Sequence, residues 1–223
     1  MIFYAQVQST LGPILLSTDG SSLTGLYFVG QRDCPVLDGL PQPTPEARHP
    51  AFGMMDGVPI RKFKAYKRES GQLFQHSAKA AALLAERGKL PASDCITLMQ
   101  GDTPSSALAL FNQADKELRE YFAGELRVFK TPLRPAGTPF QKQVWDALLR
   151  IPYGEVVSYG DVARVAGLSA RHSRPVGSAV GSNPITILIP CHRVVSSTRS
   201  LTGYGGGLER KYALLELEGF VLH

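Results

Sequence analysis

The chain has 223 residues, enough for one large domain or two small ones. A hydrophobic share of 43% and a charged share of 19% are those of an ordinary globular protein, and no apolar run reaches the roughly 18 residues that span a bilayer. Residues 1–6 lack the basic and apolar segments of a signal peptide. We therefore expect no membrane contact and a cytoplasmic location, or a nuclear one if the source is a eukaryote.

The three cysteines argue against a disulfide framework. Cys34, Cys95 and Cys191 are an odd number at wide and irregular spacing, which favours a reducing compartment and leaves each thiol free. A zinc site that uses Cys34 or Cys95 with His49 or His76 stays open, although their spacing matches no known ligand pattern. We expect neither a metal ion nor a cofactor.

The net charge of +5 is unevenly distributed. Residues 162–208 contain no acidic residue and five arginines, which are Arg164, Arg171, Arg174, Arg193 and Arg199. A basic segment of this kind suits a polyanion such as DNA. Because surface arginines without such a partner are also common, charge alone does not decide the function.

The first half of the chain predicts a small antiparallel sheet followed by helices. Short apolar runs at 2–7, 14–17 and 23–29 are separated by turn residues, and residues 31–59 and 91–104 predict loops. An alanine-rich stretch at 73–87 predicts a helix. A second helix is predicted over 105–122, with an apolar face made of Leu108, Phe111, Ala114, Leu118 and Phe122.

The second half predicts short helices after a linker at 129–138, which contains two prolines and a glycine. A helix over 139–149 should turn Val144, Trp145 and Leu148 inward. A helix that begins after Ser158 and another over 170–180 are joined by a tight turn at 167–169. This pattern indicates a helix-turn-helix, although helical hairpins without a role in DNA binding share it.

Cys191 is the candidate nucleophile. It follows a predicted buried extended segment at 185–189 and Pro190, which fixes the backbone just before the thiol. A thiol must ionise to react well, and His192 can face it in a turn, directly or through one water. Glu218 is the acid that we favour for orienting the imidazole. A glycine-rich loop at 203–207 permits close approach of a flat ligand, or is only a flexible connector.

The run Pro190-Cys191-His192-Arg193-Val194, with the preceding residues 183–189, resembles the signature of the O6-alkylguanine-DNA alkyltransferases. These proteins are also called methylated-DNA–protein-cysteine methyltransferases. Residues 140–145, 154–159 and 204–208 occur at the family's spacing. The resemblance is strong over residues 105–221 and weak over 1–30.

The resemblance implies DNA repair by an S-methyltransferase that is spent after one turnover. Cys191 would accept the alkyl group from O6 of a damaged guanine. His192 would deprotonate Cys191 through a water molecule, Glu218 would complete the relay, and Asn183 would brace the turn. Tyr159 would donate a hydrogen bond to ring nitrogen N3 as negative charge develops on the leaving base. The range of alkyl groups accepted, and the use of O4-alkylthymine, stay open.

The family also implies how the base is held. The backbone carbonyls of Cys191 and Val194 would accept from the exocyclic amine, and the backbone N–H of Gly205 would face O6. Tyr204 and Gly206 would complete this substrate pocket.

The implied partner is double-stranded DNA with alkylated bases, bound in the minor groove by a monomer. The damaged nucleotide must be flipped out, because its O6 substituent is out of reach in a stacked duplex. Arg174 would fill the gap that the nucleotide leaves. Ser173, Arg171, Arg193 and Tyr159 are the other expected DNA-binding residues.

We therefore expect an α+β protein. Residues 1–132 would form a small amino-terminal α/β domain with an antiparallel sheet and an atypical insertion at about 32–104 of unknown role. Residues 138–223 would form a helical domain with the helix-turn-helix and the reactive cysteine. Two alternatives remain: a non-catalytic lesion-binding protein of the alkyltransferase-like type, which lacks the cysteine, and a cysteine hydrolase, for which an oxyanion hole has no independent support.

Overall fold

The computed structural model describes residues 1–40, 54–55, 58–59, 65–67 and 96–222. The strands are β1 Phe3–Val7, β2 Ile14–Thr18, β3 Leu23–Phe28, β4 Met54–Met55, β5 Val58–Pro59, β6 Ala65–Lys67, β7 Thr97–Leu98, β8 Val157–Ser158, β9 Val194–Val195 and β10 Phe220–Leu222. The α-helices are α1 Ser105–Ala123, α2 Pro139–Leu148, α3 Tyr159–Val165, α4 Ser173–Gly181 and α5 Leu208–Leu217. The predicted α+β class is confirmed.

The amino-terminal sheet has the strand order β3-β2-β1-β7 and is antiparallel throughout. Strand β2 is central and wholly buried, whereas β1 alternates buried and half-buried residues, the period of two expected of a strand with one covered face. The three predicted strands are confirmed. The two segments predicted as loops also contain short strands: β7 lies within 91–104, and the antiparallel pair of β4 and β5 lies within 31–59. The helix predicted over 73–87 lies outside the described residues.

The edge of β3 that faces away from β2 pairs with two segments from the second half of the chain. Leu23 pairs with Leu133, which belongs to the predicted linker, and Leu26 pairs with Ile185. The backbone N–H of Leu26 donates to Pro184 O at 2.8 Å, and the N–H of Thr186 donates to Leu26 O at 3.1 Å. The sheet edge thereby fixes the segment that leads to Cys191.

Helix α1 packs its apolar face on the sheet and ends at Gly124, whose φ of +81° is the left-handed conformation that glycine adopts without strain. The predicted apolar face is correct except for Leu108, which is 37% exposed. Tyr121, which the prediction omitted, is fully buried instead.

The short helices of the second half begin at strong caps. Thr138 and Gln141 form a capping box at the start of α2, and Ser158 and Asp161 form one at the start of α3. Trp145 donates from Nε1 to Ala179 O at 2.8 Å and so ties α2 to α4. The helix predicted over 170–180 is interrupted: a 3-10 turn over Ala170–His172 precedes α4.

One continuous hydrophobic cluster includes side chains from the sheet, from α1 and from the later helices. The division into residues 1–132 and 138–223 stays a prediction. None of the helices within the described ranges is both long and apolar enough to cross a membrane.

Candidate active site

The segment before Cys191 is buried, as predicted, but it is not extended. After the contact of Ile185 with β3 it forms consecutive turns, in which the N–H of Ile189 donates to Ile185 O at 3.0 Å. Ile187 has a φ of +72°, a conformation that costs a β-branched residue on the order of 1–3 kcal/mol. The apolar run indicates burial correctly, but burial alone does not distinguish a strand from a set of turns.

Asn183 holds these turns together and contacts the thiol. Its Nδ2 donates to Ile189 O at 2.8 Å and lies 3.0 Å from Sγ of Cys191, while its Oδ1 accepts from the N–H of Ile185 at 3.0 Å. The predicted bracing position of Asn183 agrees with this geometry. Cys191 opens the 3-10 turn Cys191–Arg193 and is 4% exposed.

His192 and Glu218 form a buried pair. Nε2 of His192 lies 2.9 Å from Oε1 of Glu218, and both side chains are completely inaccessible to solvent. Burial lowers the pKa of His192 below its ordinary 6.5 against the opposing effect of Glu218, so the imidazole is neutral at neutral pH. With the Nε2 proton directed at the carboxylate, Nδ1 is the basic nitrogen. It is buried and has no hydrogen-bond partner within the described part of the chain.

Glu218 stays ionised in this site. Burial acts to raise its pKa, but the adjoining His192 and Arg193 side chains, through charge and hydrogen bonds, hold the pKa at about 2. Tyr121 of α1 adds a hydrogen bond from its hydroxyl to Oε1 at 2.8 Å. The carboxylate of Glu218 is therefore fixed by side chains from both halves of the protein.

Arg193 requires a correction, because we predicted it to bind DNA. It is 6% exposed, and it donates to Glu218 from Nε at 2.8 Å and from Nη2 at 2.9 Å. Its Nη1 donates to Ile151 O at 2.7 Å, and its guanidinium lies 5.7 Å from the ring centre of Tyr153. A guanidinium that is buried and engaged in this way is not available to a phosphate. Arg193 is instead the buried ion-pair partner of Glu218.

Lys211 is a site residue that the sequence analysis missed. It is 1% exposed in α5, and its Nζ donates to Val194 O at 2.6 Å and to Thr202 O at 3.2 Å. Burial lowers its pKa from 10.5 to about 8. Burial also raises the pKa of Cys191, while Asn183 and the Lys211 charge act to lower it. The signal was present in the sequence: Lys211 precedes four consecutive apolar residues in a helix with apolar side chains on nearly every side.

An open cavity has a volume of about 350 Å³; Cys191 is not one of its lining residues, but Cys191 acts electrostatically on Tyr159 and Tyr204, which are. It is lined by Arg32, Tyr159, Ser173, Arg174, Gly177, Gly181, Thr202, Gly203, Tyr204 and Gly205. The predicted pocket residues Tyr204 and Gly205 and the predicted DNA-binding residues Tyr159, Ser173 and Arg174 thus come together. Arg32 and Thr202 were not anticipated.

The glycine-rich loop is closely packed at one position. A Cβ on Gly206 would lie 2.7 Å from the Tyr204 ring and 2.8 Å from the Phe28 ring, so only glycine fits there. At Gly205 a Cβ would meet nothing closer than 3.9 Å. The alternative of a merely flexible connector does not fit Gly206.

Helix α4 presents its amino-terminal side chains outward. Arg171, on the preceding 3-10 turn, and Arg174 are exposed, and Ser173 is half-buried. Their position beside the cavity suits the predicted contact with DNA.

No group of potential metal ligands occurs among the described side chains. Cys34 lies in a small apolar cluster with Leu15, Val29 and Leu40, where burial raises the pKa of its thiol. The other three residues considered for zinc, His49, His76 and Cys95, lie outside the described residues.

The family model and two related sequences that match this chain are all of methyltransferases that act on methylated DNA. Residues 139–220 match the model of the 6-O-methylguanine DNA methyltransferase, DNA binding domain. A methylated-DNA–protein-cysteine methyltransferase of Methanosarcina acetivorans is 51% identical over 109 residues, which are 49% of this chain and 69% of that protein. Its counterpart in Mycobacterium bovis is 55% identical over 108 residues, 48% of this chain and 65% of that protein.

Solved structures extend the similarity to the whole chain. The crystal structure of Mycobacterium tuberculosis O6-methylguanine methyltransferase has a TM-score of 0.61 at 34% identity, and the alignment covers 98% of this chain and 93% of that one. The structure of Mycobacterium tuberculosis OGT in complex with DNA has a TM-score of 0.60 at 34% identity, with 96% and 91% of the two chains covered.

Proposed function

The chain belongs to the family of methylated-DNA–protein-cysteine methyltransferases, and we propose that it repairs alkylated DNA by transferring the alkyl group from O6 of guanine to Cys191. The observation that carries this proposal is the position of the thiol. Its sulfur lies 3.0 Å from Nδ2 of Asn183. Cys191 directly precedes His192, which forms the buried pair with Glu218.

The chemistry follows from the protonation states. Nδ1 of the neutral His192 takes the proton of Cys191 through a water molecule, and the anionic Glu218 stabilises the resulting imidazolium. The sulfur then forms a bond to the alkyl carbon while the bond from that carbon to O6 breaks. The electron pair leaves with the guanine, and the hydroxyl of Tyr159 donates to N3 as the charge develops. A thioether on Cys191 has no route back, so each molecule acts once.

Binding of DNA follows from the exposed side of the same cavity. A relative of known structure was crystallised with DNA, and Arg171 and Arg174 lie where α4 would meet a duplex. We place α4 in the minor groove, with Arg174 occupying the gap left by the flipped nucleotide. The protein would act as a monomer, where the chromosome is: in the cytoplasm of a prokaryote or the nucleus of a eukaryote.

Mass spectrometry after incubation with a duplex containing O6-methylguanine tests the proposal. We expect a gain of one methyl group on the peptide with Cys191, stoichiometric with the guanine restored in the DNA. Cys191→Ser should bind the same duplex and gain no mass. An unchanged mass of the wild-type protein with a retained lesion would indicate a lesion-binding protein, and release of product with turnover would indicate a hydrolase.

A further inference from the structure

Thr202 contacts the residue that faces the leaving base. Its Oγ1 lies 2.7 Å from the hydroxyl oxygen of Tyr159, and both residues line the cavity described above. Either hydroxyl can be the donor in this contact. No residue of the relay makes this contact.

The surroundings restrict the backbone of Thr202 and the ring of Tyr159. The backbone carbonyl of Thr202 accepts a hydrogen bond from the buried ammonium of Lys211 at 3.2 Å, and the adjacent Leu201 is fully buried. On the other side, a Cβ built on Gly177 of α4 would lie 3.7 Å from the Tyr159 ring, which is van der Waals distance. The phenol ring therefore lies between α4 and the segment that carries Thr202.

Counting protons sets the direction of the bond once a base enters. A phenol has one proton, and N3 of guanine can only accept. When the Tyr159 hydroxyl donates its hydrogen bond to N3, the phenol oxygen can only accept from Thr202. The contact of 2.7 Å then persists only if Thr202 is the donor.

We propose that Thr202 is a positioning residue for the transfer reaction: its hydroxyl donates to Tyr159 and so directs the Tyr159 proton toward the leaving guanine. The proposal rests on the function proposed above. Burial raises the pKa of Tyr159 and weakens it as a donor, and the hydrogen bond from Thr202 acts in the opposite direction. Linked hydrogen bonds strengthen one another, and this one matters most when charge builds on the base. Thr202 should therefore affect the rate of transfer and not the affinity for DNA.

Single-turnover rates of methyl transfer, from a duplex with O6-methylguanine at saturating protein, test the proposal. Thr202→Val removes the hydroxyl and keeps the shape, and we expect a rate about five- to tenfold lower. Thr202→Ser should restore most of the rate. Thr198→Val removes an exposed hydroxyl outside the cavity lining and is the matched control, with an unchanged rate. The dissociation constant for unmodified duplex and the unfolding temperature should be equal in all four proteins.

A double-mutant cycle separates this role from a general effect on the site. In a Tyr159→Phe background, Thr202→Val should cause no further loss, because the hydroxyl that it orients is gone. An unchanged rate in Thr202→Val, an equal loss in the Phe background, or no rescue by serine would overturn the proposal. Failure of the wild-type protein to methylate Cys191 would instead overturn the proposed function, so the two failures are distinguishable.

Discussion

Arg193 and Glu218 form a two-point ion pair inside the protein, with nitrogen–oxygen distances of 2.8 and 2.9 Å. Oε1 of the same carboxylate lies at hydrogen-bonding distance, 2.9 Å, from Nε2 of His192. Because Arg193 is always charged, it keeps Glu218 anionic whether or not His192 holds a proton. In the mechanism proposed above, the pair would therefore supply a permanent counter-charge for the imidazolium.

Replacement of that charge should impair chemistry and stability together. Glu218→Gln leaves Arg193 buried without an anion, which should lower the free energy of unfolding by about 3 kcal/mol. The rate of methyl transfer should fall roughly 10²-fold, because the imidazolium loses its stabilising partner. Single-turnover kinetics and urea unfolding measure the two effects. A stable Glu218→Gln protein with an unchanged rate would show that the pair serves neither purpose.

The dependence of stability on pH should carry the signature of Glu218. Its pKa is about 2 in the folded protein against 4.5 ordinarily, so its contribution is complete above about pH 4.5. The contribution is lost as the pH falls from about 4.5 toward 2, and it amounts to on the order of 3 kcal/mol. Urea unfolding of wild type and Glu218→Gln at several pH values checks this. The difference between the two proteins should shrink across that window, and a constant difference would count against it.

Asn183→Ala should raise the pKa of the reactive thiol. The hydrogen bond from Nδ2 acts to lower the pKa of Cys191 against the effect of burial, and the alanine variant lacks it. The thiolate absorbance, followed against pH with Cys191→Ser as the blank, should therefore titrate at higher pH. The freed backbone groups of Ile185 and Ile189 should also destabilise the fold by about 2 kcal/mol. A titration that does not move would remove Asn183 from the control of the thiol.

Arg174→Ala should impair repair of duplex DNA far more than reaction with the free modified base. Only the duplex requires a nucleotide to be flipped out and the gap to be filled. Rates with O6-methylguanine in duplex and with free O6-methylguanine give the comparison. Arg150→Ala is the control, because that arginine is exposed and does not line the cavity. Equal losses with both substrates would remove the assigned role of Arg174.

The proximity of His192 and Glu218 was predictable because the residues concerned are chemically distinctive. Cys191 and His192 are neighbours that follow a proline, and the structure places Glu218 beside His192. Arg193 was misassigned because a positive charge in the sequence does not say whether it meets a phosphate or a carboxylate 25 positions away. Only the folded chain decides between them.

Local backbone geometry was the second feature that the sequence did not predict. An apolar run of five residues gives no periodicity to separate a strand from turns, and the φ of +72° at Ile187 breaks the usual preference of β-branched residues. Thr202 was missed because the partner of its hydroxyl is set by tertiary packing, whereas the burial of Lys211 could have been inferred from the apolar residues around it in α5. The first three strands and helices α1 to α4, by contrast, followed from alternation, amphipathic spacing and capping residues, whereas α5 was not predicted.

Strand β3 has a wider importance for the solubility of the protein. Unpaired backbone groups on an edge strand recruit other strands and promote aggregation. Here Leu26 is satisfied by Pro184 and Thr186, which belong to the same stretch as the turns that hold the sulfur. Any substitution that loosens those turns should also expose the unpaired backbone groups of β3. A protein whose turns around Cys191 are disrupted should therefore also be prone to aggregate.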